Sequence, residues 1–96
     1  MVIEIATFRL ADGADETVFL EADQRVQTEF IPNLPGFMRR TTARGSNGDW
    51  VVVSLWGSED EAEAAWLLAE GDAVHREFMV LVDPKTLEVK RYSALD

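Results

Sequence analysis

The sequence predicts an α+β protein with the ferredoxin-like order βαββαβ, in which four antiparallel strands carry helices on one face. Strand-like and helical segments follow one another in this order, and the loop at residues 45–48, Gly-Ser-Asn-Gly, joins the two middle strands as a β-hairpin. The second hairpin strand, residues 49–56, is apolar on both faces. A strand of this kind needs cover on both faces. We therefore expect a second chain to cover the face that the helices leave open.

The first half of the chain contains one strand and one long helix before the hairpin. High β-propensity predicts a strand over residues 2–10. A helix is predicted over residues 14–30, and Pro32 ends it. Gly36 then turns the chain into the hairpin. The apolar stripe of the helix consists of Val18, Phe19, Ala22, Val26 and Phe30.

The second half contains two further helices and the last strand. Ser58 stands three residues before Glu61, the spacing of a capping box, and so predicts a helix start. A turn at Gly71 ends this helix, and Asp72 can cap a shorter one. Residues 86–93 alternate as the last strand, whereas helix and strand compete over residues 78–82. The buried stripe of the longer helix consists of Ala62, Ala65, Trp66 and Ala69.

Composition limits the class of protein and its partners. The 96 residues form one domain, 1–96, with no cysteine and no apolar run long enough to span a membrane. The amino terminus lacks the pattern of a secretory signal, so we expect a cytoplasmic protein. Eighteen acidic residues against nine basic ones give a net charge of −9. Such a surface repels phosphate backbones and anionic lipids, so we expect neither nucleic acid nor membrane as a partner.

Three local features follow from this order of elements. They are the turn of residues 34–37, Leu-Pro-Gly-Phe, the strand end Leu55-Trp56 followed by Ser58 and acids, and the Trp66 helix with a short helix behind it. Together they resemble the dimeric α+β-barrel superfamily, specifically its antibiotic-biosynthesis-monooxygenase-like (ABM-like) branch. The resemblance covers essentially the whole chain. It implies a homodimer formed through the sheet faces, with a pocket for a small-molecule ligand between the sheet and the helices of each chain.

The only histidine, His75, is the first catalytic candidate. It lies at the edge of the apolar stripe of the short helix, where it could face the pocket or its rim. Imidazole suits a general base or an iron ligand, while a solvent-facing helix histidine is the structural alternative. In heme-degrading relatives the axial histidine comes from this region, and a tryptophan placed like Trp66 touches the heme. Those relatives carry an asparagine on the first strand, which is absent here at Ala6, Thr7 and Phe8.

The other candidate site residues come from the strands and from the longer helix. Arg39 and Arg40 point to opposite faces of their strand, and we select Arg39 as the arginine that stabilises a substrate oxyanion. An ion pair between chains is the alternative for this arginine. The substrate-pocket candidates are Thr7, Trp56, Trp66 and Tyr92. For the tryptophans, a place in the core or at the dimer interface is the alternative.

Three functions remain open at this point. The resemblance favours a cofactor-independent monooxygenase-like enzyme that acts on a small aromatic or polyketide-like substrate, with no cofactor. A heme-binding or heme-degrading protein that uses His75 is the second hypothesis, and a non-catalytic ligand-binding or assembly module is the third. The acid-rich run at residues 59–63 lacks the convergent His or Cys ligands of a metal site, and we expect no metal.

Overall fold

A computed structural model describes residues 1–95 of the chain. It contains four strands and three α-helices in the order β1-α1-β2-β3-α2-α3-β4. The strands are β1 (Val2–Arg9), β2 (Phe37–Arg44), β3 (Asp49–Trp56) and β4 (Glu88–Ser93), and the helices are α1 (Glu16–Arg25), α2 (Glu59–Glu70) and α3 (Ala73–Met79).

All four strands form one antiparallel sheet in the order β2-β3-β1-β4. β1 therefore lies inside the sheet, between β3 and the last strand of the chain. This arrangement confirms the predicted α+β ferredoxin-like fold. The hairpin loop also forms as expected, because Gly48 adopts a φ of +81°, a conformation that glycine reaches without strain.

The core lies between the sheet and the helices. Alternate residues of β1 and β3 face the helices and are buried, as period-two alternation requires. Phe19 and Val26 are the largest fully buried side chains. Phe19 packs edge-on against Phe8, with ring centroids 5.9 Å apart, and its ring also lies 4.7 Å from that of Trp50. Aromatic contacts thus help to fix α1 to the sheet, whereas α2 packs through the small side chains of Ala62, Ala65 and Ala69.

The first helical segment is less regular than its sequence pattern predicts. Asp15 caps α1 by accepting a hydrogen bond from the backbone N–H of Val18. After α1 the chain makes a π-helical turn over Val26–Phe30 and a 3₁₀ turn over Ile31–Asn33. Four of the five predicted stripe residues are buried, but Val18 is exposed, so its assignment to the stripe was wrong. It lies in the first turn of α1, where the next residue, Phe19, takes the buried position and Val18 faces solvent.

The second and third helices begin at the predicted caps. Ser58 accepts a hydrogen bond from the backbone N–H of Glu61, and Asp72 accepts one from that of His75. The carboxylate of Glu61 accepts from the Ser58 hydroxyl, where a capping box would use the backbone N–H. Over residues 78–82 both competing patterns occur in part: α3 ends at Met79, and Val82 then forms an isolated antiparallel bridge with Leu10.

The sheet face opposite the helices, called the outer face below, carries the second apolar side of β3. Val51, Val53 and Leu55 are half-buried there, as are Ile3 and Ile5 of β1. These side chains cover one another only in part, so some of their apolar surface remains exposed to solvent. No helix within residues 1–95 has both the length and the apolar character needed to cross a bilayer.

Candidate functional site

A cavity of about 60 Å³, called the inner cavity below, lies between the sheet and the helices. Its walls are mainly apolar, and a surface groove beside it shares Phe30 and Leu34 as lining residues. Phe30 ends the π-helical turn and Leu34 directly follows the 3₁₀ turn, and π-helical turns of this kind occur frequently at functional sites. The polar side chains that line the inner cavity are Glu4, Arg40, Ser54, Trp56, Trp66 and His75.

His75 enters the inner cavity from the first turn of α3. The Asp72 cap fixes this turn through a 2.9 Å hydrogen bond to the His75 backbone N–H. The imidazole is packed among the rings of Phe30, Trp66 and Phe78, with centroid distances of 5.5–5.9 Å. Its position in the cavity matches the first of the two predicted orientations.

The electrostatics of the site keep His75 uncharged. Burial lowers the pKa of His75 from 6.5 to about 4, and the positive charge of Arg40 lowers it further, against a smaller opposing effect of Asp72. The imidazole is therefore neutral at pH 7. A neutral imidazole has one nitrogen that can accept a proton.

Arg40 is the arginine that faces the inner cavity. Its side chain is only 5% exposed and forms an ion pair with Asp23 at 2.7 Å. The guanidinium also donates to Gln27 Oε1 at 3.2 Å and lies 5.6 Å from the ring centroid of Phe78. These contacts fix a permanent positive charge at the wall of the cavity.

The choice of Arg39 for this role was wrong. Arg39 is exposed, pairs with Leu55 on the outer face and does not line the inner cavity. The cause is a bulge in β2: Phe37 pairs with Trp56, and the next pair is Arg39 with Leu55, so Met38 is the extra residue. The bulge reverses which side chains face the helices, and it places Arg40 inward.

Trp56 provides an unused hydrogen-bond donor. The side chain is 2% exposed, lines the inner cavity and packs edge-on against Phe37. Among residues 1–95, its Nε1 is the only fully buried side-chain nitrogen or oxygen without a hydrogen-bond partner. An unsatisfied buried donor costs about 1–3 kcal/mol, which a ligand oxygen placed beside it would recover.

Glu4 and Trp66 form a second polar group of the cavity. Trp66 Nε1 donates to Glu4 Oε2 at 2.9 Å, and Arg91 Nε donates to the same oxygen at 2.7 Å. Glu4 is 4% exposed. Neither Glu4 nor Arg91 was among the predicted site residues. The sequence contained one signal for Glu4. This residue follows Val2 and precedes Ala6 at every second position along β1 and therefore shares their inward, buried face.

Two further candidates lie away from the inner cavity, so their assignment to the pocket was wrong. Thr7 is exposed and pairs with Val51 across the outer face. Tyr92 is 50% exposed and pairs with Ile3 on that same face. Strand alternation explains both positions, because the residues next to them along each strand take the inward places.

The cavity does not fit a heme. Its volume of about 60 Å³ is well below the roughly 300–1,000 Å³ of pockets that hold drug-sized ligands, and a porphyrin is at least that large. The His75 ring, the candidate axial ligand, is already packed against three aromatic rings. Within residues 1–95, no three His, Asp or Glu side chains converge as a metal site would require.

Solved structures with the same fold include several monooxygenase-type proteins. SnoaB, a cofactor-independent oxygenase from Streptomyces nogalater, has a TM-score of 0.78 at 22% identity, covering 99% of this chain and 93% of that one. A candidate antibiotic biosynthesis monooxygenase from Bordetella bronchiseptica has a TM-score of 0.80 at 13% identity, covering 98% and 96%. The chain has the ABM-like fold.

A third structure supports the same conclusion over the full length of both chains. This candidate antibiotic biosynthesis monooxygenase, from Nitrosomonas europaea, has a TM-score of 0.71 at 18% identity and covers 100% of each chain. No protein-family profile matches the sequence, and no curated protein matches it either. At these identities the likeness establishes the fold, and the chemistry has to be argued from the cavity.

Proposed function

We propose that this protein is a homodimeric, cofactor-independent monooxygenase-like enzyme that acts on a small aromatic substrate with an ionisable hydroxyl group. One observation supports this function most strongly. A neutral imidazole, His75, and a fixed guanidinium, Arg40, line one aromatic cavity together with the unpartnered N–H of Trp56. These groups can remove a proton and stabilise the anion that results. The fold shared with SnoaB is consistent with this chemistry.

The reaction begins with transfer of the phenolic proton to His75. The same positive charge that disfavours an imidazolium, that of Arg40, favours the substrate oxyanion. The N–H of Trp56 donates a hydrogen bond to that oxygen. The apolar and aromatic walls keep water from the anion and strengthen both interactions. His75 thus acts as the general base, and Arg40 and Trp56 act as electrostatic stabilisers.

The substrate anion then supplies the electrons that oxygen requires. One electron passes to O₂, the two radicals combine to form a C–O bond, and His75 returns a proton to give a hydroperoxide. Loss of water converts the activated CH₂ into a carbonyl, so that CH₂ and O₂ give C=O and H₂O. The substrate is oxidised and oxygen is reduced without another reductant. A substrate of this kind needs an acidified C–H position, as in the keto form of an electron-rich phenol.

The homodimer is the second part of the proposal. The outer face presents half-buried Val51, Val53 and Leu55 on the strand that is also fully engaged with the helices. A matching sheet from a second copy would remove these side chains from water, at about 25 cal/mol per Å² of apolar surface. The dimeric α+β barrel would then be formed by two sheets that pack face to face.

The small volume of the inner cavity supports a second function, that of a non-catalytic ligand-binding or assembly module. Side chains fill most of the space between sheet and helices, so an aromatic ring can enter only if residues such as Phe30 and Leu34 move toward the surface groove. Ligand binding without oxygen consumption would indicate this function.

Oxygen uptake with a panel of dihydroxyaromatic compounds tests the enzyme hypothesis. We expect uptake with at least one member, and a loss of at least tenfold in His75→Gln, because general bases typically contribute about 10²–10⁴-fold. Arg44→Gln is the matched control, since Arg44 is an exposed residue of β2 that does not line the cavity. No uptake across the panel would contradict the enzyme hypothesis and favour the binding module.

A further inference from the structure

Glu4 is a buried carboxylate that the proposed reaction does not use. It lies on the inward face of β1, is 4% exposed and lines the inner cavity. Carboxylates are almost never fully buried unless they are paired, because removing the charge from water is costly. A leucine or valine at this position would continue the apolar stripe of β1 without that cost. The presence of a carboxylate therefore needs an explanation beyond packing.

The two partners of Glu4 satisfy only part of its hydrogen-bonding capacity. Arg91 Nε and Trp66 Nε1 both donate to Oε2, at 2.7 and 2.9 Å. A carboxylate offers about four acceptor positions on its two oxygens. Acceptor positions on Oε1 remain for a group inside the cavity. This group has to be a donor, such as an O–H or N–H.

Arg91 does not neutralise this region. Its Nη1 also donates to Glu63 Oε2 at 2.7 Å and to Glu59 Oε1 at 3.2 Å. Glu59 and Glu63 are exposed, so water screens their charges, whereas Glu4 lies in the cavity wall and presents its remaining negative charge to the cavity. This charge attracts the positive end of a ligand dipole and repels an acceptor. At another point of the same cavity, the unpartnered N–H of Trp56 instead favours a ligand atom that accepts a hydrogen bond.

We propose that Glu4 is a specificity-determining residue that selects aromatic ligands with an O–H or N–H donor directed at its free oxygen. Arg91 acts as a positioning residue, because it holds the carboxylate on the cavity side of β1 and shares it with Trp66. The inference rests on the proposed function only in placing the ligand in the inner cavity. It narrows the ligand class to aromatic rings that carry a donor for Glu4, and an acceptor on the same ring would gain a second contact with the N–H of Trp56.

The test uses two ligands of the same shape and opposite polarity. Indole presents an N–H donor, and benzofuran presents an oxygen acceptor in its place. Titrations of ¹⁵N-labelled protein, followed through the tryptophan indole N–H resonances, give a dissociation constant for each. We expect the wild type to prefer indole. In Glu4→Gln the amide oxygen stays with Arg91 and Trp66, so its NH₂ group faces the cavity, and the preference should shift toward benzofuran by about tenfold or more.

The matched control is Glu63→Gln, because Glu63 also binds Arg91 at 2.7 Å but does not line the cavity. Its ligand preference should equal that of the wild type. An unchanged preference in Glu4→Gln, equal binding of both ligands by the wild type, or no binding of either would overturn the inference. If Glu4→Gln does not fold, NOEs from bound indole in the wild type decide: its N–H must lie beside Trp66 Hε1, and any other placement overturns the inference.

These outcomes are independent of turnover. Neither ligand has to react, so a protein that discriminates between them without consuming oxygen would retain this inference while the enzyme hypothesis failed. Oxygen uptake together with an unchanged preference in Glu4→Gln would support the enzyme hypothesis and overturn this inference.

Discussion

Trp66 Nε1 and Glu4 Oε2 lie 2.9 Å apart and join helix α2 to strand β1 across 62 residues of sequence. This bond sets the orientation of an indole ring that forms part of the cavity wall and packs against His75. Because Arg91 binds the same oxygen, three elements converge on one carboxylate. The shape of the site therefore depends on a buried polar network as well as on apolar packing.

Gly36 should be difficult to replace. It has a φ of +78°, and a Cβ at this position would overlap the carboxylate of Glu61. We expect Gly36→Ala to lower the free energy of unfolding by more than the roughly 1–2 kcal/mol of the left-handed conformation alone, because the Glu61 side chain also has to move. Urea denaturation measures the loss.

Comparison with Gly13→Ala separates the cost of the left-handed backbone conformation from the cost of moving Glu61. Gly13 has the same φ of +78°, but nothing lies within 4 Å of an added Cβ. Its substitution should cost only the conformational part, about 1–2 kcal/mol. Equal losses for the two variants would show that Glu61 moves aside freely and would contradict the prediction.

The pH dependence of stability should show the low pKa of His75. The unfolded chain binds the imidazole proton near pH 6.5, whereas the folded protein binds it only near pH 4. Between these values the unfolded state binds more protons, so stability falls as the pH is lowered from 6.5 to 4. His75→Gln should lack this acid-induced loss of stability, which is on the order of 3 kcal/mol in the wild type.

The protonation of His75 can also be observed directly, because the chain contains a single histidine. Its imidazole Cε1–H resonance should titrate with a midpoint about 4 in ¹H NMR spectra of the folded protein. A midpoint between 6 and 7 would mean that the ring is solvated, and it would contradict the buried environment that lowers the pKa of His75.

Two ion pairs join β2 to α1, and they should contribute differently to the free energy of unfolding. Arg40 and Asp23 have side chains that are 5% and 16% exposed, whereas Arg44 and Glu16 are both largely exposed. Arg40→Met leaves the partly buried carboxylate of Asp23 with the hydroxyl of Thr42 but without its charged partner, which should cost on the order of 3 kcal/mol. Arg44→Met should cost no more than about 1 kcal/mol. Similar losses in urea denaturation would contradict this difference.

The outer face should be sensitive to charge if two sheets pack against each other. We expect light scattering coupled to size exclusion to give twice the chain mass for the wild type and the mass of one chain for Val53→Lys. Leu67→Lys, on the exposed side of α2, should remain dimeric. A wild-type mass of one chain at micromolar concentration would refute the dimer.

The sequence was sufficient to predict the fold because each element has a local signal. Strand alternation, the caps at Ser58 and Asp72 and the glycine turns all act over a few residues. The bulge at Met38 has no such signal, and it decided which arginine faces the cavity. Side-chain direction on β2 could therefore not be obtained from alternation alone.

The site was predicted only in part for a related reason. His75, Trp56 and Trp66 were selected by residue type, and all three line the inner cavity. Glu4 was not selected, because an acidic residue in a strand is usually solvent-exposed and because its partner Arg91 is 87 residues away in sequence. Pairing of this kind depends on sheet order, which places β4 beside β1.

The order of the strands also has a consequence for synthesis on the ribosome. Of the four strands, β1 emerges before the others, whereas its neighbour β4, which carries the counter-charge for Glu4, emerges after them. Until β4 is synthesised, β1 has an unpaired edge and a carboxylate that has to stay in water. A nascent chain therefore cannot complete the polar network around Glu4, which lines the inner cavity, until β4 has joined β1.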